Sequence, residues 1–92
     1  MVEDYVSIYI IGWEDCYSGE YSSGISNGDC FLTLEEAKKE LKKIKEGCIA
    51  DNLDNGVNIH NRMQESENEI FIDYGCNDYE KYTIYERRMR LC

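Results

Sequence analysis

The 92-residue sequence contains no proline, a single histidine (His60), no C-x-x-C pair among its five cysteines, and no Lys or Arg before Phe31. The lack of proline carries no functional reading. The other gaps each exclude something. With one histidine, in the run Asn58-Ile59-His60-Asn61-Arg62, there is no second imidazole to ligate a metal or activate water, so His60 reads as a polar loop residue and not a catalyst. Structural zinc sites pair their ligands at short spacings, and the closest cysteines here, Cys16 and Cys30, are far too distant in sequence for that pattern. No cysteine has the neighbours of an activated nucleophile, and no phosphate-cradling G-x-x-x-x-G-K-[ST] or G-x-G-x-x-G occurs. The expectation is no catalytic residue, no metal and no cofactor. Apolar runs are too short to cross a bilayer, and the opening M-V-E-D-Y-V-S is not a basic-then-apolar leader. A cytoplasmic protein with free thiols is expected, its membrane contacts absent.

What is present is negative charge. Nineteen Asp and Glu oppose ten Lys and Arg, a formal net charge of −9. Such a chain stays in solution and repels nucleic acid and anionic lipid, which argues against direct nucleic-acid binding. The same field attracts the cationic surfaces with which other proteins hold nucleic acid. The charge is also unevenly distributed. The segment to Cys30 carries only carboxylates, Phe31 to Glu46 is nearly balanced, Gly47 to Glu80 has Arg62 as its one cation, and the segment from Lys81 turns basic with Arg87, Arg88 and Arg90.

Residues 1–92 suffice for a single domain with one core layer between a helix and a sheet. Asp4 to Trp13 is rich in β-branched and aromatic residues and predicts a central strand, with Val6, Ile8 and Ile10 on one face and Tyr5, Ser7, Tyr9 and Ile11 on the other. Glu20 to Ile25 is expected to pair back on it, before turn chemistry at Ser26-Asn27-Gly28-Asp29. Thr33 with Glu36 forms a capping box for a helix from Leu34 to about Glu46, whose stripe is Leu34, Ala37, Leu41 and Ile44 and whose stop is Gly47. Cys48 to Asn68 shows no clear period, and part of the binding surface is expected there because long irregular segments in small domains are commonly functional. Glu69–Gly75 and Lys81–Leu91 read as a closing hairpin joined by Cys76 to Glu80, with Ile70, Ile72 and Tyr74 matched by Tyr82, Ile84 and Met89. The fold class is α+β, a small β-β-α-β-β domain with one helix packed on an antiparallel or mixed sheet.

Candidate contact residues follow from charge and aromatic content. Glu14 and Asp15, with Glu20, belong to the first acidic block. Alternation places Glu65, Glu67 and Glu69 as a row on one strand face leading into the strand at Ile70, a pattern suited to an acidic contact surface and lacking the glycine and terminal glutamate of a calcium loop, and Asp73 is a further candidate contact. Of the eight tyrosines, Tyr17, Tyr21 and Tyr79 lie in turn-like or edge segments among carboxylates, where a flat apolar ring with a polar tip serves an interface.

Phe31 to Leu41 (F-L-T-L-E-E-A-K-K-E-L) and Lys81 to Glu86 give the chain a style that resembles the small acidic accessory proteins of phages and mobile elements, among them the anti-CRISPR inhibitors. The resemblance covers about half the chain and carries over no functional residue. It implies a non-enzymatic protein, acting in the cytoplasm of a host cell, that presents carboxylates to a basic nucleic-acid-binding protein such as a CRISPR effector, as a nucleic-acid mimic. The alternative is a ligand-binding module, an oligomeric sponge for a nucleotide signal, for which Arg62, Arg87, Arg88 and Arg90 are the clustered cations.

Overall fold

The computed structural model describes residues 5–90, except the side chains of 26–29. Asp4, Leu91 and Cys92 lie outside the described residues. The chain runs β1 (Tyr5–Tyr17), β2 (Glu20–Phe31), α1 (Leu34–Asp54), a 3-10 turn (His60–Arg62), β3 (Met63–Ser66), β4 (Glu69–Gly75) and β5 (Asp78–Arg90). The strands form one antiparallel sheet in the order β2-β1-β5-β4-β3. The α+β class with a single helix on an antiparallel sheet is therefore observed. The order is β-β-α-β-β-β, however, because part of the segment that lacked a clear period forms an additional edge strand, β3.

β1 is central, with β2 and β5 as its neighbours, and its two faces divide as the alternation predicts. β1 reaches past Gly12 to Tyr17 because its register with β5 is unbroken from Tyr5↔Arg90 to Cys16↔Tyr79. The hairpin to β2 is closed by Ser18 and Gly19, both at positive φ (54° and 82°), the two-residue geometry that matches strand twist. β2 also runs further than expected. Its pairing shifts between Ile10↔Cys30 and Gly12↔Ile25, so the expected turn at 26–29 is taken up as an irregularity within the strand. At the β4–β5 hairpin the turn is Cys76-Asn77 alone (φ 55° and 67°), and Asp78, Tyr79 and Glu80 belong to β5.

The helix begins as predicted, with the Glu36 N–H donating to Thr33 Oγ1 at 3.2 Å. It does not stop at Gly47. That residue lies on the exposed side of α1, and Cys48 and Ile49 continue the apolar stripe onto the sheet, so packing outweighs the roughly 1 kcal/mol that a helical glycine costs. The actual end is a Schellman motif. Gly56, at φ 77°, donates to the Leu53 carbonyl (2.9 Å), and Val57 donates to that of Asn52 (2.7 Å).

The core lies between α1 and one sheet face. Ile11, Ala37, Leu41, Ile59, Ile70, Ile72 and Ile84 are buried, with Tyr9, Phe31, Leu34, Ile44, Cys48, Met63, Tyr74 and Tyr82 packed around them. Met89, expected beside Ile84, is exposed: it stands five positions after Ile84 in β5, so the two project to opposite faces. Among the described residues no helix is long and apolar enough to cross a membrane.

Candidate functional site

The two hairpin turns lie at the same end of the sheet, because β1 and β5 are antiparallel and Cys16 stands opposite Tyr79. This end gathers Glu14, Asp15, Glu20, Asp73, Asp78 and Glu80. The last helical turn, with Asp51 and Asp54 and no basic residue, reaches the same end, where Asn52 Nδ2 donates to Tyr74 Oη at 3.2 Å. A helix C-terminus itself carries negative partial charge, so backbone and side chains contribute with one sign. The cations placed here are Lys81 and Arg62. Lys81 Nζ lies 3.7 Å from Glu14 and 3.9 Å from Glu69, and Arg62 donates to the Tyr74 carbonyl at 3.1 Å.

Tyrosine hydroxyls hold the two central carboxylates, one on each face of the sheet. On the open face, Tyr21 donates to Glu14 Oε1 at 2.9 Å and Tyr79 to Oε2 at 2.7 Å. On the helix-side face, Tyr17 donates to Glu80 Oε1, and Tyr82 donates to Oε2 at 2.9 Å. Each carboxylate is thus oriented by two donors from different strands. The hydrogen bonds from Tyr79 and Tyr21 hold Glu14 below the usual carboxylate range, against a smaller opposing effect of desolvation and with help from Lys81. The tyrosines respond in the opposite sense. Tyr79 is pushed up to about 12, chiefly by its bond to Glu14, and Tyr74 to about 12, chiefly by burial; Tyr17 and Tyr82 are raised by burial and by Glu80. Aromatic packing stiffens the arrangement. The Tyr17 and Tyr74 rings are 6.0 Å apart, and those of Phe71 and Tyr79 stack at 5.4 Å.

One pairing runs against local stability: Asp15 stands directly opposite Glu80 on the helix-side face of β1 and β5. Like charges at such positions repel, and the remaining local chemistry is otherwise consistent.

The structure thus brings Glu14, Asp15, Tyr17, Glu20, Tyr21 and Asp73 to one end of the molecule. Asp73 is partly occupied in its own strand, accepting from the Gly75 N–H at 2.8 Å. Glu65, Glu67 and Glu69 are not with them and do not form a row. The chain turns at Glu67-Asn68 between β3 and β4, so Glu65 falls on the helix-side face, where Lys45 lies 2.5 Å away, and Glu69 falls on the open face toward Lys81. Alternation along a single strand was the wrong geometry for a hairpin. Asp78 and Glu80 were missed because they were read as loop; the available signal was the polar pair Cys76-Asn77 as a complete two-residue turn. His60 is exposed, its N–H bonded to Asn58 Oδ1 at 3.0 Å. Among the described residues no three His, Cys, Asp or Glu side chains form a group suited to a metal ion.

Comparison of the chain with protein-family models, with curated proteins and with solved structures finds no match.

Proposed function

We propose that the protein is a non-enzymatic inhibitor that sets its acidic, tyrosine-lined end into the cationic groove of a nucleic-acid-binding protein and excludes the nucleic acid. The observation that carries this reading is the concentration of Glu14, Asp15, Glu20, Asp73, Asp78 and Glu80 at one end, with Glu14 and Glu80 fixed by paired tyrosine hydroxyls. Preoriented carboxylates lose little freedom when they meet Arg or Lys, and the repulsion between Asp15 and Glu80 is relieved when a cation arrives between them. Tyr17 and Tyr21, both exposed, add flat surfaces on which guanidinium groups can stack. A CRISPR effector, acting in the cytoplasm of a host cell, is the class of partner that the resemblance suggests. The nucleotide-sponge reading has less support, because Arg62 lies at the acidic end while Arg87 and Arg88 project to opposite faces of β5.

The test is competition: purified protein against labelled nucleic acid on candidate effectors, at low and high salt. Displacement that weakens at high salt is expected, since exposed charges are screened beyond about 10 Å at 0.1 M salt. The triple variant Glu14→Gln, Asp15→Asn, Glu80→Gln is expected to lose about tenfold or more in potency. Glu65→Gln with Glu67→Gln, away from the acidic end, should change it little. Equal losses from both variants would reject the acidic end as the contact.

A further inference from the structure

The helix covers one face of the sheet; the other carries a pattern of apolar surface and charge that matches itself. Val6, Ile8 and Ile10 of β1, Ile25 of β2, Phe71 of β4, and Tyr79, Tyr85 and Met89 of β5 share this open face. Ile25, Tyr85 and Met89 are about half exposed. At its centre lies an open groove of about 320 Å³ between Ile10, Tyr85, Ile25 and Tyr21. Gly12 makes room for the Tyr85 ring, which a Cβ there would meet at 2.7 Å. Apolar surface on this scale, bordered by Glu14, Lys81 and Arg87, is uncommon on a monomer.

The charges on the same face are arranged about its middle. The mid-length of β1 and β5 is the pair Ile11↔Ile84. Arg87, opposite Ile8, lies three positions to one side, and Glu14 lies three positions to the other, each about 10 Å from the middle at ~3.3 Å per residue. Around Glu14, the carboxylates of Glu69 and Asp73 leave a net negative surface even with Lys81 between them. Around Arg87 no carboxylate projects from this face of β1 or β5.

We propose that the occupant of this face is a second copy of the chain, packed sheet to sheet about a two-fold axis that crosses the strands at Ile11. That axis, and not one parallel to the strands, brings Arg87 of each copy to the level of Glu14 of the other, while the central apolar residues meet each other; an axis along the strands would set acidic end on acidic end. An isologous contact needs this self-complementarity. The molecule measures 56 × 26 × 20 Å, so the open face is large enough for the roughly 800 Å² per partner of a standard interface. The sandwich covers Glu14 and Tyr21, so in the dimer the acidic contact proposed above falls to Asp15, Tyr17 and Glu80, which stay uncovered on the helix-side face at each end.

Sedimentation of the full chain, up to about 100 μM and at low and high salt, tests the proposal; interfaces of this size bind at micromolar strength or tighter. A dimer is expected. Arg87→Glu should weaken it about tenfold, and Arg87→Glu combined with Glu14→Lys should recover it. Tyr85→Ser, which removes an exposed ring, should also weaken it while circular dichroism and melting stay close to those of the parent. A monomer at every concentration overturns the proposal. So does a dimer indifferent to both Arg87→Glu and Tyr85→Ser but abolished by Ser22→Pro, which would instead place the contact on the free edge of β2.

Discussion

Glu14 accepts a tyrosine hydroxyl on each oxygen, and its behaviour follows from that environment. Its folded-state value is lowered, so the stability it contributes is present above its ordinary value near 4.5 and lost as pH falls through the lower folded value. Its carboxyl carbon resonance should therefore titrate below 4.5, and Tyr79→Phe should move that midpoint back upward. The tyrosines give the mirror case. Tyr74 and Tyr79 are raised to about 12, so their contribution is complete below the ordinary value of 10 and lost as pH rises from there through 12. Tyrosinate absorbance is expected to show Tyr79 ionising well above pH 10, and this step should shift downward in the Glu14→Gln variant. Tyr17 and Tyr21 were recognisable as surface aromatics because of the acidic residues around them. Their partners were not, since the bond from Tyr17 to Glu80 spans most of the chain and depends on the register of β1 with β5.

The elements were legible where local chemistry and packing agree. The start of α1 shows this: Thr33 caps it in the sequence and in the fold, and Thr33→Ala is expected to cost about 1 kcal/mol, read from chemical denaturation. The end of α1 shows the opposite. Gly47 is a stop signal by propensity, yet Cys48 and Ile49 beyond it reach the core, and tertiary contact overrides the signal. Because a Cβ at Gly47 would meet nothing within 4 Å, Gly47→Ala is expected to stabilise the protein by up to about 1 kcal/mol. The same substitution at Gly56, where φ is 77°, should destabilise instead. Glu65, Glu67 and Glu69 were misread for a related reason: alternation describes one strand, and nothing in their side chains marks the turn at Glu67-Asn68 that separates β3 from β4. Strands β1, β4 and β5 were visible because β-branched and aromatic residues dominate them, whereas the short β3 has only Met63 to pack inward.

At the scale of the whole molecule, one layer of isoleucines and a helix stripe supports an elongated domain. Ile72, fully buried between α1 and the sheet, should cost about 2–5 kcal/mol on replacement by Ala, a large share of the ~5–15 kcal/mol typical of a domain; Leu32→Ala, at an exposed site, should stay within about 0.5 kcal/mol. Thermal melting of the two variants side by side checks the contrast. Composition revealed the net acidity but not its polarity, because carboxylates from both hairpins and from the helix terminus converge only after the sheet has formed.

The central place of β1 beside β5 also sets a timetable. The first strand of the domain acquires its inner neighbour only when the last strand has been made, with β2, the helix, β3 and β4 in between. The longest ladder of the sheet is therefore between segments far apart in sequence, which slows folding relative to domains built from local contacts alone. During synthesis the β1–β2 hairpin would wait with one edge unpaired and its isoleucines uncovered, a stage at which a chaperone has the most to protect. A chain interrupted before Asp78 would lose the strand that joins the two halves of the sheet, and with it any folded product.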